Sequence, residues 1–328
     1  MSSPSRTLIG LDIGGTKIAC VEGDAAGHIL QRTELPTEAW RAFDERSPAL
    51  LSALNRQRAA AADAGREIVA LSVSVGGPLH IRAGVLQDPP HLPGWHHVPL
   101  KARLTEALCG LPVYVEHDGN AGALAEFRFG AARTRRRIRH LIFLTFGTGL
   151  GAGLIINGRI VHGASDTAGE VGHWRLAADG PQGYGKVGSW EAFACGAGLL
   201  QLATRMFPRR WGSQTSIRSL VDAMLSDEPD ALSVADEAGR RLGQGLALLI
   251  DALNPQLIVL GSLAVLLGER VLAPARRIVA QEALPQAAAV CEIVPAALGM
   301  QVGDVASLMA ALSDASVRRA LRSGARAR

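Results

Sequence analysis

The chain has 328 residues, of which 48% are apolar, 20% charged and 4% aromatic, and that length predicts about two domains, each able to bury its own core. The net charge of +4 is local: Arg133, Arg135, Arg136, Arg137 and Arg139 crowd one stretch, Arg318, Arg319, Arg322, Arg326 and Arg328 another, and without these ten, 24 basic residues stand against 30 acidic ones. An acidic body argues against nucleic acid as a partner, and the absence of a signal-peptide core, a spanning apolar run or a CxxC pair argues for a cytoplasmic chain with reduced thiols and no membrane partner.

Hydrophobic alternation and glycine punctuation predict three opening strands, TLIGLDIGG, KIACVEGD and HILQRTELP, followed by a helix over 44–64. EIVALSVSVGG reads as a buried strand. A Pro- and His-rich loop over 88–99 leads to a helix near 99–109, and PVYVEHD is a strand that runs into a helix near Gly119. HLIFLTFGTG, GAGLIING and RIVHG then repeat the strand, glycine turn, strand, turn, strand order of the opening. Helices follow over 190–206, 216–226 and 230–253, then the strand PQLIVLG, a helix over 264–281, a strand at 290–295 and a helix over 304–322. Each half thus begins with an antiparallel meander and continues with βα units. This duplicated layout predicts two α/β lobes with a ligand cleft between them. The expected boundaries are 1–117, completed by 304–328, and 118–303.

Three segments carry chemistry. In Asp12-Ile13-Gly14-Gly15-Thr16-Lys17 the glycines let backbone amides approach a phosphate, Thr16 adds a hydroxyl, and Asp12 can order Mg²⁺ or its waters. A hairpin turn that simply needs glycine is the alternative reading. Gly147-Thr148-Gly149-Leu150-Gly151-Ala152-Gly153 occupies the matching turn of the second half. His117-Asp118-Gly119-Asn120 marks a strand-to-helix junction, where Asp118 is either a helix cap or a general base for an attacking hydroxyl.

DIGGTK, HDGNA, GTGLGAG and AGEVGH, in this order and at these separations, resemble the ROK family of bacterial sugar kinases and sugar-responsive repressors over roughly residues 7–312. The resemblance implies the two-lobed actin-like, ribonuclease-H-like fold, with ATP and a sugar meeting in the cleft. It assigns Asp12, Gly14, Gly15, Thr16 and Lys17 to the first phosphate motif and Thr148 and Gly149 to the second. It makes Asp118 the base that deprotonates the sugar, and Gly77, Glu170, His173 and Glu191 match positions that bind sugar hydroxyls.

Departures from the family pattern are as informative. Where the family carries zinc-binding cysteines after AGEVGH, this chain has Gln182, Tyr184 and Ser189, none a competent thiolate substitute, so no zinc is expected. Trp174, Tyr184 and Trp190 are the expected replacements that hold the loop by packing. His117 stands where the family has an asparagine that touches a sugar hydroxyl. Gly261-Ser262 keeps one glycine of an adenosine-side pair.

The resulting expectation is an ATP- and Mg²⁺-dependent, cytoplasmic, homodimeric hexose kinase acting on the 6-hydroxyl of glucose. N-acylmannosamine, N-acetylglucosamine, mannose and fructose stay open as substrates, and polyphosphate as donor. A non-catalytic sugar sensor is the competing class. Repressors of the family add an N-terminal helix-turn-helix domain, for which a phosphate strand beginning by Thr7 is expected to leave no room.

Overall fold

The computed structural model describes residues 4–212 and 215–325, with side chains described through Arg322. Arg326 and Arg328 therefore lie outside the described residues. Two compact units result: one comprises the chain up to Phe129, His162–Ala168 and the chain from Gln301 onward, the other Gly130–Val161 and Gly169–Met300.

The first unit begins with β1 (Ser5–Ile13), β2 (Lys17–Gly23), β3 (Ile29–Pro36), α1 (Phe43–Asp63), β4 (Arg66–Val75), the short pair β5 (Leu79–His80) and β6 (Val85–Leu86), α2 (Leu100–Ala107), β7 (Val113–His117) and α3 (Asp118–Arg128). Its main sheet runs β3-β2-β1-β4-β7. The first three strands form an antiparallel meander, whereas β4 and β7 add to β1 in parallel. Because β1 is central, helices cover both its faces, and apolar residues occupy successive positions instead of alternating. Ile9, Leu11, Ile13 and Val73 join Leu50 and Leu54 of α1 in one core. The sheet also buries Glu22, which Arg66 meets through hydrogen bonds of 2.6 and 2.9 Å and Thr7 through one of 2.8 Å.

The second unit contains β8 (Leu141–Leu144), β9 (Ala152–Ile156), β10 (Arg159–Ile160), β11 (Gln182–Gly183), β12 (Lys186–Val187), α4 (Trp190–Ala194), α5 (Gly196–Met206), α6 (Ile217–Leu225), α7 (Pro229–Leu253), β13 (Leu257–Leu260), α8 (Leu263–Leu267), α9 (Glu269–Glu282), α10 (Pro285–Ala288) and β14 (Glu292–Pro295). Its main sheet, β10-β9-β8-β13-β14, repeats the antiparallel meander followed by two parallel strands. The chain then returns to the first unit with α11 (Val302–Ser307), α12 (Met309–Leu312) and α13 (Ala315–Ala325). There the amide of Ala311 donates to Ser72 Oγ at 3.2 Å on the sheet face opposite α1.

The first unit runs through α3 to Phe129; α3 packs against α11, and its Ala121 and Ala125 are buried. Three helices expected from the sequence are each divided in the structure. The helix expected over 190–206 breaks at Cys195, whose extended backbone (φ −119°, ψ 152°) lets the next amide, of Gly196, donate to Gly147 O at 3.1 Å. Likewise the helices expected over 264–281 and 304–322 are divided, the first at Gly268 and the second at Leu308 and after Leu312.

Candidate active site

In the first unit, the turn after β1 is closed by one bond of its own and held by Thr37 from beyond β3. Gly14 N–H donates to Lys17 O at 3.0 Å, Thr37 Oγ donates to Gly14 O at 2.6 Å, and Thr37 N–H donates to Thr16 O at 3.0 Å. Thr16 stays exposed. Lys17, expected to close the phosphate motif, is exposed and paired with Glu34 at 3.1 Å. Asp12 lies at the strand end. Burial, followed by the charges of Asp118 and Asp304, pushes its carboxyl up to about 7, against the opposing pull of Lys17 and Ser74. Asp304 comes from α11, almost three hundred residues along the chain, and the sequence carried no sign of it. It also receives Arg32 Nε at 3.0 Å.

Asp118 is the first residue of α3, directly after β7. Gly119 N–H donates to Asp118 Oδ1 at 2.6 Å, leaving Oδ2 for other partners, and His117 Nδ1 accepts the same amide more weakly at 3.3 Å. The two readings of this junction are therefore compatible: both side chains satisfy the helix end, and Asp118 remains partly exposed. Gly77 lies against the substituted residue. A Cβ there would sit 2.9 Å from His117 Cδ2, so the imidazole occupies space that only glycine leaves. Beneath the junction, buried Glu116 accepts from His117 N–H and from Asn120 Nδ2, each at 2.9 Å, and pairs with His162 Nε2 at the same distance. Sequence reasoning missed this network. Asn120 lies in the His117–Asn120 motif and Glu116 directly before it, but His162 lies 46 residues from Glu116.

In the second unit, the turn after β8 is braced internally and by α4. Gly151 N–H donates to Thr145 Oγ at 2.9 Å, and Leu150 N–H donates to Glu191 Oε2 at 2.9 Å. Thr148 is exposed on this turn. Glu191 has its pKa raised by burial and further by Glu170, while the Leu150 amide opposes the shift. Gly169, which precedes Glu170, has φ +98°, and a Cβ on it would lie 2.0 Å from Ala152 O; no other residue fits. Gly261 N–H donates to Leu144 O at 2.9 Å, so this lone glycine closes the end of β13 onto β8.

The loop with the altered residues is held by packing and hydrogen bonds. His173 stacks on Tyr184 with ring centroids 4.9 Å apart, and Trp174 stacks on Trp190 at 5.7 Å. Lys186 Nζ donates to His173 O at 2.7 Å. Ser189 Oγ caps α4 by accepting from Ala192 N–H at 3.3 Å. Gln182 N–H donates to Gln201 Oε1 at 2.9 Å, and Gln201 Nε2 donates back to Gln182 O at 3.0 Å.

Duplicated β-meander and βα units, a glycine turn at the end of each first strand and an aspartate at a strand–helix junction define the two-lobed actin-like fold of sugar kinases. The ROK family model matches residues 8–313, and the chain belongs to that family. It is 30% identical over 310 residues to a glucokinase of Halalkalibacterium halodurans, covering 91% of this chain and 92% of the relative. A glucokinase from Streptomyces griseus, solved in complex with glucose and AMPPNP, is 30% identical with a TM-score of 0.75, covering 92% of this chain and 97% of that one. A xylose repressor of Caldicellulosiruptor bescii is 26% identical over 285 residues, 84% of this chain and 70% of the repressor. The likenesses to glucokinases make the chain a sugar kinase.

Proposed function

We propose that the chain is an ATP-dependent hexose kinase that phosphorylates the 6-hydroxyl of glucose, with Asp118 as general base. One observation carries the reading: Asp118 has one carboxylate oxygen committed to the α3 amide and the other left over, beside a turn whose end holds Asp12. The sugar hydroxyl gives its proton to Asp118 Oδ2 as its oxygen bonds to the γ-phosphorus. The bond from that phosphorus to the bridging oxygen breaks, and ADP leaves with that electron pair. A positioned base supplies about 10²–10⁴ of the rate. By the family resemblance Gly14, Gly15, Thr16, Thr148 and Gly149 serve the phosphates and Gly261 the adenosine. Lys17, already paired with Glu34, contributes long-range charge.

Gly77, His117, Glu170, His173 and Glu191 bind the sugar in this reading. A carboxylate such as Glu191 accepts hydrogen bonds from hydroxyls, and its bond from the Leu150 amide orients it. His117 Nδ1 faces the Gly119 amide, which in the neutral ring leaves Nε2–H as the donor, the role of the amide it replaces.

The donor set suits Mg²⁺, a hard cation that takes oxygen ligands, and a cation would offset the burial and carboxylate repulsion that raise Asp12. Among the described residues no group of three His, Cys, Asp or Glu could hold a metal alone. Asp12 would therefore hold Mg²⁺ together with the phosphate oxygens. Bound there, the ion supplies charge neutralisation. Zinc has no part in this reading, since Ser189 caps a helix and Tyr184 stacks on His173. About one zinc per chain, in protein purified without a histidine tag, would overturn that point.

ADP release measured across glucose, mannose, fructose, N-acetylglucosamine and N-acetylmannosamine, with ATP or polyphosphate as donor, tests the whole proposal. Glucose with ATP should give the largest kcat/KM, and Asp118→Ala should abolish it. Equal background rates for both proteins with every pair would favour the second reading, a sugar sensor, to which the likeness to a xylose repressor points. The family resemblance also implies a cytoplasmic homodimer, and sedimentation should show a species of twice the chain mass.

A further inference from the structure

The segment His162–Ala168 follows β10 of the second unit yet packs with the first. Two of its side chains fasten it there. His162 Nε2 meets Glu116 Oε2 at 2.9 Å, and Asp166 Oδ2 accepts from Ile81 N–H at 3.0 Å. Ala168 N–H closes the loop on His162 O at 3.1 Å. Glu116 is only 7% exposed and uses both oxygens: Oε1 takes the His117 amide and the Asn120 side chain, Oε2 takes His162. Its partners on α3 and β7 therefore bracket Asp118 in the sequence, one residue before it and two after.

We propose that His162 is a positioning residue for Asp118, holding Glu116 in the one orientation that pins the first turn of α3. The proposal rests on the reading of Asp118 as the base. A carboxylate with donors on both oxygens cannot rotate without breaking a buried hydrogen bond. Without His162, Oε2 has no donor from the 162–168 loop, and Glu116 can swing away from His117 and Asn120. The consequence is a small displacement of Asp118 from the sugar hydroxyl, to which proton transfer is steeply sensitive.

The hydrogen bond to Glu116, helped by the charges of Glu116 and Asp166, raises the pKa of His162 above the ordinary imidazole value, while burial opposes the shift. These carboxylates, one from β7 and one from the histidine's own loop, are the charged groups acting on the ring. The raised value fixes the sign. The charge-assisted bond is complete at acid pH and is lost as pH rises through the folded-state pKa; the neutral ring can still donate through Nε2, so the loss is graded.

The test compares wild type, His162→Ala and His162→Gln in kcat and KM from about pH 6 to 9, and follows the ¹⁵N shifts of the His162 ring in wild type and Glu116→Gln. We expect His162→Ala to lower kcat about tenfold with KM for ATP unchanged. His162→Gln, a neutral donor, should recover most of kcat and remove the alkaline inflection. Glu116→Gln should lower the pH at which His162 titrates. Wild-type kcat and pH profile in His162→Ala, after normalising to folded protein, would overturn the proposal, as would an unmoved ¹⁵N titration. Asp118→Asn separates the premises: full activity there ends the base reading and this proposal with it, whereas the ¹⁵N result reports on the link from Glu116 to His162 alone.

Discussion

Leu8-Ile9-Gly10-Leu11-Asp12-Ile13-Gly14 and Leu141-Ile142-Phe143-Leu144-Thr145-Phe146-Gly147 begin the two sheets at the same topological place, as central strands that end in glycine turns. They differ in that Asp12 of the first strand corresponds to Thr145 of the second. Asp12 is a carboxyl pushed to about 7 by burial and by two neighbouring carboxylates. Thr145 is neutral and uses its hydroxyl to brace its own turn through the Gly151 amide. The first turn is supported from a neighbouring loop by Thr37, the second by its own threonine and by Glu191 from α4. At the end of the central strand, one backbone plan thus presents a carboxyl in one unit and a neutral hydroxyl in the other.

Removing the charge is the strongest way to break this comparison. Asp12→Asn should lower kcat by about 10²-fold, as expected for a preorganised charged group, while Thr145→Val should leave kcat within about threefold of wild type, since it loses only a structural hydrogen bond. Steady-state kinetics with saturating sugar and ATP decide between them. Comparable losses in both variants would mean that the two turns share one role.

Backbone closeness should matter similarly on both sides. A Cβ on Gly15 would lie 2.8 Å from His91 O, and one on Gly196 2.6 Å from Thr148 O. Gly15→Ala and Gly196→Ala should each destabilise by about 1–3 kcal/mol, the usual cost of overpacking, and should raise KM for ATP. Urea unfolding at constant m-value measures the first effect.

The pH dependence sharpens the contrast further. With a folded pKa of about 7 against an ordinary 3.8, Asp12 gives the folded state an extra proton between those values. Its contribution to stability therefore falls as pH rises through that window. Asp12→Asn lacks this fall, so its Tm should match wild type near pH 4 and exceed it by a few degrees near pH 8. A difference independent of pH would show that the Asp12 charge is not destabilising. The smallest effect belongs to Thr145→Val, which should lose about 1 kcal/mol by leaving the Gly151 amide short of its acceptor.

Much of the architecture was legible in the chain. Alternation and glycine turns place the opening meander of each unit, and Asp118 follows its strand as the helix begins. What escaped detection were contacts between distant residues. Nothing near Asp304 distinguishes it from a surface acid at the start of a helix, and His162 resembles any histidine at the end of a strand. The helix over 190–206 misled because apolar periodicity continues through Cys195, whereas the break comes from a backbone bond between Gly196 and Gly147. The pairing of Lys17 with Glu34 on the adjacent strand was likewise not legible in the motif.

The sequence by itself determined the duplicated layout, the family and the residue types available for phosphoryl transfer, because glycine spacing and hydrophobic periodicity are local properties. Only the tertiary structure decided which carboxylates repel one another, which histidine supports Glu116 and how a loop carrying Gln182, Tyr184 and Ser189 is held. Those outcomes depend on distances of a few ångströms between residues far apart in the chain, where burial and packing set the protonation state and orientation of each group.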